Sequence, residues 1–390
     1  MSWRDLATVG GGLSVLIWAY LLLGRGGFWR VLKHVVQGGE APPARASVAV
    51  VIPARNEAAV IGQSVQSLLR QAYGGSLHIF VVDDGSVDDT ARVAREAASR
   101  TGKADSLTVI EGQPLPRDWS GKVWALEQGV ERARELKPQF LLFTDADVVH
   151  APESVATLVG MAEREGYDLA SCMVKLHCET LAEKLLIPAF VFFFFKLYPP
   201  AWIVDPRHEA AGAAGGCILI RPEALERAGG LAAIRGEIID DCALARAVKK
   251  TGGRVWLGLT LATASIRAYG SLGAVGRMIS RTAFNQLRHS TLLLLGAMAG
   301  MVITYVLPPA LVASGRPLPA ALGAMAWAAM TVAYLPMVRF YGLGAWWALT
   351  LPVVALFYMG ATVHSALEFW AGRGGEWKGR VQDRGRDKPH

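Results

Sequence analysis

Short β-rich runs alternate with helical segments along residues 47–150, and this alternation restricts the possible folds more than any other feature of the chain. The predicted strands cover 48–52, 77–82, 107–110 and 140–143, and the predicted helices between them cover 57–71, 88–100 and 122–136. Within the first of these helices, apolar residues recur at the spacing of one helix face. The pattern predicts an α/β domain whose mainly parallel sheet is covered by helices on both faces.

Acidic residues follow three of the predicted strands. The first strand runs into Glu57, the second into Asp83 and Asp84, and the fourth into Asp145 and Asp147. Because open α/β sheets bind ligands at the carboxyl ends of their strands, these carboxylates are expected to share one edge of the sheet. Crowded carboxylates repel one another unless a cation or hydrogen-bond donors compensate. The Asp-x-Asp spacing presents oxygen ligands that suit Mg²⁺ or Mn²⁺ together with phosphate.

Long apolar segments flank this domain. Hydrophobic residues make up 52% of the chain and charged residues 19%, a balance that indicates a partly membrane-embedded protein. A helix needs about 20 apolar residues to cross a bilayer. The candidate spans are 6–23, Thr291–Ala313, 318–338 and 345–367. Arg25, Arg30 and Lys33 directly follow the first span, so the positive-inside rule predicts that the next domain is cytoplasmic.

These features divide the chain into four predicted parts. They are an N-terminal anchor over 1–30, a cytoplasmic domain over 45–290, membrane helices over 291–370 and a basic tail over 371–390. One span before the domain and three after it would place the basic tail outside, against the positive-inside rule. Either one C-terminal segment is re-entrant or interfacial, or the tail is an exception to the rule.

A fifth apolar stretch, 185–198, contains four consecutive phenylalanines and is interrupted by Lys196. Pro199 and Pro200 end it. The stretch is interpreted as too short to span a membrane, and it predicts an interfacial helix over 183–200 beside the α/β domain. A buried core helix is the alternative.

The net charge of +7 limits the class of partner. Many basic residues adjoin apolar segments or lie in the tail, which favours an anionic membrane surface over nucleic acid. The four cysteines form no C-x-x-C pair, so reduced thiols are expected.

Several motifs together resemble the family 2 inverting glycosyltransferases, whose nucleotide-sugar-binding fold is called GT-A. The motifs occupy 50–57, 82–90, 120–122, 144–147, 215–221, 228–231 and 240–244. The arrangement of anchor, domain and C-terminal spans is most similar to bacterial glycosyltransferases associated with hopanoid biosynthesis. Related membrane enzymes that act on ceramide or carotenoids share much of this layout.

The resemblance implies a role for each matching residue. The nucleotide-sugar pocket would be lined by Pro53, Ala54, Arg55, Glu57, Asp83, Asp84, Lys122 and Asp145. Within this set, Asp84 would bind the nucleobase, most often uracil, and Lys122 would approach the diphosphate. Asp147, with Asp145, would hold the divalent cation. Asp241 would be the general base, with Asp240 as the alternative.

One departure from the family pattern concerns the region before the first C-terminal span. Processive synthases carry a Gln-x-x-Arg-Trp motif there, whereas this chain has Arg277 and Arg281 on one helix face and lacks the tryptophan. The two arginines are interpreted either as contacts for the leaving diphosphate or as membrane-surface residues. The missing tryptophan favours a single sugar transfer over polymerisation.

The resemblance therefore implies metal-assisted transfer of a sugar from a nucleotide-diphosphate sugar, most often a UDP-sugar, to a lipid acceptor at the bacterial inner membrane. A processive polysaccharide synthase and a nucleotidyltransferase are the alternatives. The latter would usually carry a glycine-rich phosphate loop after its first strand, and residues 53–57 do not form one. A transporter is disfavoured because few ionisable residues lie within the predicted spans.

Overall fold

The computed structural model describes residues 3–36, 45–377 and 380–383. Residues 378, 379 and 384–390 of the predicted basic tail lie outside the described residues. A mixed sheet of nine strands forms the centre of the described part, in the order β1-β9-β7-β8-β5-β2-β3-β4, with β6 paired to β9. Its strands are β1 (Val35–Val36), β2 (Val48–Ala54), β3 (Leu77–Asp83), β4 (Leu107–Glu111), β5 (Phe140–Thr144), β6 (Val148–His150), β7 (Leu169–Lys175), β8 (Cys217–Ile220) and β9 (Val255–Ser265).

The helices lie around this sheet and beyond it. In chain order they are α1 (Trp3–Leu23), α2 (Ile61–Leu69), α3 (Thr90–Arg100), α4 (Gly121–Ala133), α5 (Ser154–Glu165), α6 (Leu181–Leu197), α7 (Pro200–Val204), α8 (Pro222–Arg227), α9 (Asp240–Lys250), α10 (Leu272–Gln286), α11 (Thr291–Met301), α12 (Leu307–Ala313), α13 (Pro317–Phe340) and α14 (Leu351–Trp370). A small antiparallel pair, β10 (Gly374–Trp377) and β11 (Arg380–Asp383), follows α14.

The prediction of an α/β domain with a mainly parallel sheet is confirmed. Strands β2, β3, β4 and β5 pair in parallel, as the βαβ alternation requires. Strand β8 is antiparallel to both of its neighbours, and β6 is antiparallel to β9. All seven residues of β2 are buried, which explains its almost continuous apolar sequence, since a central parallel strand is covered on both faces.

Two predicted helix starts were placed too early. Helix α2 begins at Ile61 and not at Glu57, because the Glu57 amide donates to Oγ1 of Thr90 at 2.8 Å. Helix α3 begins at Thr90 and not at Asp88, whose Oδ2 atom accepts from the Ala58 amide at 3.1 Å. The residues that follow β2 and β3 therefore bond to each other before either helix starts, and this mutual contact fixes both loops.

Five helices are long and apolar enough to cross a membrane, judged by length and composition within the described residues. They are Asp5–Leu23, Leu181–Val204, Thr291–Ala313, Pro317–Phe340 and Ala345–Trp370. The prediction that the fifth apolar stretch is too short to span was therefore wrong on length. Its α-helix begins at Leu181, before the run of phenylalanines, because Thr180 and Glu183 form a reciprocal capping box.

The connections of α6 nevertheless argue against a crossing. Strand β7 precedes α6 and strand β8 follows it, and the two strands pair antiparallel in one sheet. A single crossing would place them on opposite sides of a bilayer. Phe192 is buried and its ring lies 5.2 Å from that of Tyr334 on α13, while Tyr358 on α14 donates to the carbonyl of Leu186 at 2.9 Å. The packing partners of α6 thus lie on two other candidate membrane helices, and its interfacial position stays a prediction beside the buried-helix alternative.

Helix α1 packs on a π-helical turn, Val302–Val306, between α11 and α12. Pro308 has no amide hydrogen to donate to the carbonyl of Thr304. The indole nitrogen of Trp18 donates to that carbonyl at 2.9 Å, and Ser14 donates to the carbonyl of Ile303 at 2.6 Å. Side chains of the N-terminal helix therefore satisfy the backbone acceptors that the proline and the π-turn expose.

Helices α10 and α14 pack side by side and run in the same direction. Phe357 lies against Gly276 near the start of α10, whereas Ser365 accepts from the amide of Phe284 at 3.0 Å near its end. The ring of Phe369 stacks on that of His289 with centroids 4.1 Å apart. The C-terminal end of α14 therefore lies beside the N-terminal end of α11.

Candidate active site

Glu57 and Asp147 share one guanidinium group, that of Arg267. Nη2 of Arg267 lies 2.8 and 2.7 Å from the two carboxylate oxygens of Glu57, and Nε lies 2.6 Å from Oδ2 of Asp147. Ser265, the last residue of β9, donates to the same Asp147 oxygen at 3.3 Å. The carboxylates after β2 and β5 are thus brought together as predicted, and a residue just after β9 compensates part of their negative charge.

The two carboxylates of this ion pair network are largely shielded from water, whereas the Arg267 side chain is half-buried. Glu57 and Asp147 are each 9% exposed. Burial lowers the pKa of Arg267, but the carboxylates of Asp147 and Glu57 outweigh that effect and raise the pKa above its ordinary value. The guanidinium therefore stays charged. Arg267 was not among the predicted site residues, because β9, the strand that it follows, was not among the predicted strands.

Lys122 is the second cation of the site. It is the second residue of α4, and its Nζ atom lies 2.9 Å from Oδ1 of Asp145 and 3.8 Å from Oδ2 of Asp240. Burial lowers the pKa of Lys122, but the carboxylates of Asp145 and Asp240 outweigh burial and raise it. The lysine thus joins the carboxylate after β5 to the acidic pair that begins α9.

Asp241 lies in the first turn of α9, where both of its carboxylate oxygens accept hydrogen bonds. Oδ2 accepts from the amide of Gly215 at 2.8 Å, and Oδ1 accepts from the amide of Cys242 at 2.7 Å. Burial and the neighbouring Asp240 carboxylate raise the pKa of Asp241 to about 6, although Lys122 and the two amides act in the opposite direction. A carboxylate with this pKa is suited to accept a proton near neutral pH.

A small cavity connects these groups. It is lined by Pro53, Lys122, Asp145, Gly215, Asp240 and Asp241 together with apolar residues of the surrounding elements. A larger cavity, of about 590 Å³, lies beside α5 and is lined by His150, Cys172 and Cys217 among others. None of the predicted site residues lines the larger cavity, so the chemistry is assigned to the smaller one.

The predicted nucleoside-binding residues lie together at the ends of β2 and β3. Asp84 is 1% exposed, and Arg55 donates to the Asp84 carbonyl and to the Gly85 carbonyl, the latter at 3.2 Å. Asp83 accepts from the Ser86 amide at 3.0 Å. Ala54, at the end of β2, is fully buried. Its methyl group packs in the core, and Pro53, not Ala54, lines the small cavity.

Arg277 and Arg281 occupy a different position from the other predicted site residues. Both side chains are exposed on α10. In the part of the chain that the structure describes, neither forms an ion pair with the site carboxylates, which are held by Lys122 and Arg267. Their contact with a diphosphate therefore stays a prediction.

The donor set suits a divalent cation only in part. Among the described residues, no group of three or more His, Cys, Asp and Glu side chains is placed to hold a metal ion. Glu57 and Asp147, however, converge on one positive charge and offer it carboxylate oxygens. Mg²⁺ is typically held by one or two carboxylates plus substrate phosphates, so the residues fit a cation that shares its ligands with a diphosphate.

Comparison with known proteins relates the central segment to a family. Residues 49–229 match the sequence model of Glycosyl transferase family 2. This segment is thus similar to family 2 glycosyltransferase domains. The chain is 34% identical over 121 residues to an uncharacterized protein of Methanocaldococcus jannaschii and, over the same length, to the 4,4'-diaponeurosporenoate glycosyltransferase of Staphylococcus aureus. Each match covers 31% of this chain, and the two cover 44% and 29% of the respective relatives.

A solved structure extends the likeness beyond the family 2 domain. The mannosyltransferase of Pyrobaculum calidifontis, determined in complex with GDP-Man and Mn²⁺, is 20% identical and superposes with a TM-score of 0.53. The alignment covers 90% of this chain and 98% of that protein. At this identity the likeness concerns the fold, and it includes helices outside the family 2 domain.

Proposed function

We propose that this protein transfers a sugar from a nucleotide-diphosphate sugar to a lipid acceptor at a membrane surface, with inversion at the anomeric carbon. The family 2 domain supports sugar transfer, and two similar proteins are a 4,4'-diaponeurosporenoate glycosyltransferase and a mannosyltransferase bound to GDP-Man. The observation that carries the proposal is the position of Asp241. Its carboxylate lines the same cavity as Lys122 and Asp145, so a base and donor-binding groups face one reaction space.

Asp241 performs the proton transfer in this proposal. Its carboxylate removes the proton from the acceptor hydroxyl as the hydroxyl oxygen forms a bond to the anomeric carbon. The bond from that carbon to the diphosphate oxygen breaks on the opposite face, and the nucleoside diphosphate leaves with the bonding electrons. Two backbone amides hold the Asp241 carboxylate, which limits the orientations it can take.

The leaving diphosphate needs positive charge near its oxygens. Lys122 pairs with Asp145 at 2.9 Å and Arg267 pairs with Asp147 at 2.6 Å, and we assign these two cations to the diphosphate. Asp147 keeps the metal role predicted for it, whereas Asp145, predicted as its co-ligand, is paired with Lys122. Asp147 and Glu57 are therefore the residues that would hold a divalent cation, Mg²⁺ or Mn²⁺. Such a cation would neutralise charge that develops on the diphosphate. Arg55, which follows β2, and Asp84, which follows β3, are assigned to the nucleoside. We propose that this nucleoside is uridine.

The acceptor is assigned to the lipid class because of where the base lies. Tyr198, the residue that follows α6, exchanges hydrogen bonds with Gln286 at the end of α10, at 2.9 and 3.1 Å. The same tyrosine lies close to Cys242 and Asp241. Helices α6 and α10 are packed against the apolar C-terminal helices. An acceptor that enters from the bilayer between these helices would therefore reach Asp241.

The last apolar segment bears on how the chain is arranged in the membrane. We propose that α11–α12 and α13 form a crossing pair and that Ala345–Trp370 is re-entrant. The indole nitrogen of Trp327, in the middle of α13, donates to the carbonyl of Leu349 at 3.2 Å. Helix α14 therefore begins beside the middle of α13, at mid-depth of the proposed crossing. Phe369 then stacks on His289 beside the start of α11. This arrangement returns the basic tail to the side of the catalytic domain, in agreement with the positive-inside rule.

The test of the proposed function is a transfer assay with the purified full chain in lipid vesicles. Labelled UDP-sugars and GDP-Man are supplied with Mn²⁺ and a panel of acceptors that includes hopanoid, carotenoid and ceramide lipids. We expect free nucleoside diphosphate and one glycosylated lipid as products. Both products should be lost when a chelator is in excess, and both should return when Mg²⁺ or Mn²⁺ is added. A long polysaccharide would favour a processive synthase, and a nucleotide-bearing product would favour a nucleotidyltransferase.

A further inference from the structure

We propose that Arg267 is a resident counter-cation that keeps a divalent metal ion away from Glu57 and Asp147 until a nucleoside diphosphate binds. The inference rests on the proposed function, because it concerns the order in which the donor and its cation enter the site. Its basis is that the guanidinium already occupies the carboxylate oxygens that a metal ion would need.

The contacts of Arg267 account for all but one of the four carboxylate oxygens. Both oxygens of Glu57 accept from Nη2, and Oδ2 of Asp147 accepts from both Nε of Arg267 and the hydroxyl of Ser265. Hydrogen bonds between ionised partners at such distances are the strong kind. A divalent cation at ordinary coordination distance from these oxygens would lie against the guanidinium, and like charges repel.

Arrival of a diphosphate would reverse this balance. The donor brings additional negative charge and phosphate oxygens, which provide ligands for the metal ion and a bidentate partner for the planar guanidinium once it is released. The backbone next to Arg267 is held in place, since the Tyr269 amide donates to the buried carboxylate of Glu183 at 2.7 Å and the Ile266 amide donates to the Asp147 carbonyl at 2.9 Å. The exchange therefore requires movement of the Arg267 side chain and not of the whole loop.

The experiment measures binding of Mn²⁺ alone, by electron paramagnetic resonance of the free ion, to the full chain in detergent. Wild type is titrated without nucleotide, with UDP and with GDP, and is compared with Arg267→Gln. We expect Mn²⁺ affinity of wild type to rise at least about tenfold with the nucleotide that fits the site. We expect Arg267→Gln to bind Mn²⁺ without nucleotide at least about tenfold more tightly than wild type does, because removal of a neighbouring like charge favours a cation.

Two controls separate this effect from general changes. Arg227→Gln removes an arginine that pairs with Asp168 at 2.9 Å on the surface, and it should bind Mn²⁺ like wild type. In Arg267→Gln combined with Asp147→Asn, the gain should disappear. Thermal unfolding checks that each variant is folded. If Arg267→Gln does not fold, Arg267→Met replaces it, since methionine keeps part of the aliphatic stem, removes the charge and should show a similar gain.

Two results would overturn the inference. One is a folded Arg267→Gln, or in its place Arg267→Met, whose Mn²⁺ affinity without nucleotide equals that of wild type. The other is wild-type Mn²⁺ affinity that is the same with and without nucleotide. The readout does not depend on sugar transfer, so it is distinguishable from failure of the proposed function, which would appear as nucleotide-dependent Mn²⁺ binding without any glycosylated product.

Discussion

The backbone amide of Gly215 donates to the carboxylate of Asp241 at 2.8 Å. The two residues are 26 positions apart, and the contact joins the loop before β8 to the first turn of α9. A Cβ atom on Gly215 would lie 2.9 Å from Nζ of Lys122 and 3.3 Å from Oδ2 of Asp241. The glycine thus allows the backbone to approach both the proposed base and the proposed diphosphate-binding lysine.

Gly215→Ala should reduce turnover with little effect on stability. The added methyl group would push against Lys122 and Asp241, and small displacements of catalytic groups cost about 10²-fold in rate. Gly300→Ala is the matched control, because a Cβ there has no neighbour within 4 Å and alanine favours a helix. The measurements are kcat and the thermal unfolding midpoint of both variants. Wild-type turnover in a folded Gly215→Ala would show that this close approach is unimportant for catalysis.

The rate of sugar transfer should fall on the acid side of about pH 6. Asp241 must be ionised to accept a proton, and burial together with Asp240 raises its pKa to about 6. A plot of log kcat/KM against pH should therefore bend near this value and decline with unit slope below it. In Asp240→Asn the repelling charge is gone, so the bend should move to lower pH. An unchanged bend in a still active Asp240→Asn would contradict the assignment.

Stability should decrease as the pH falls from about 6.5 to 4 because of His150. This buried histidine donates from Nε2 to Thr144 at 3.0 Å, since the Thr144 hydroxyl itself donates to the Gly216 carbonyl at 2.8 Å. Burial lowers the pKa of His150 to about 4. Below about pH 6.5, the imidazole is protonated in the unfolded chain but still neutral in the folded chain. This difference lowers the free energy of unfolding, by about 3 kcal/mol once the pH has fallen to 4.

The comparison for His150 uses His150→Gln, which keeps a donor for Thr144 but does not titrate. Thermal unfolding midpoints are measured from pH 7.5 to 5 for both proteins. The midpoint of wild type should fall more steeply than that of the variant. Parallel curves would show that His150 does not contribute to the acid sensitivity of the fold.

The catalytic domain and the C-terminal tail should lie on the same side of the membrane. A reporter fused after residue 390 and another inserted at the exposed turn of Gly102 should respond alike to a membrane-impermeant probe. The physical reason is the stacking of Phe369 on His289, which returns α14 to the start of α11. Opposite responses would indicate three full crossings after the domain.

The sequence predicted the sheet and its acidic edge well, because both depend on local patterns. Strand ends carry Glu57, Asp83 and Asp145 within a few residues of a recognisable β-rich run, and parallel pairing then brings these ends together. Helix starts were less accurate, since Glu57 and Thr90 bond across the two loops before either helix begins. Such a contact between segments 33 residues apart is not visible in local periodicity.

Arg267 could not be predicted from the sequence for the same reason. It lies 120 residues from Asp147 and 210 from Glu57, and only the pairing of β9 with β6 and β7 brings it to the acidic edge. The prediction of an interfacial helix over 183–200 relied on apolar composition. Composition does not distinguish a membrane surface from a core of aromatic partners such as Tyr334 and Tyr358, which contact Phe192 and Phe193.

The most direct test of the account is the turnover of Asp241→Asn, measured with the glycosylated lipid as product and accompanied by a nucleotide-binding titration. Asparagine is close in size to aspartate but cannot accept the proton, so kcat should fall about 10²-fold or more, within the range for a general base. The affinity for UDP should stay within about threefold of wild type, because Asp241 is not assigned to the nucleotide. Turnover equal to that of wild type would contradict the account and would make Asp240 the residue to test next.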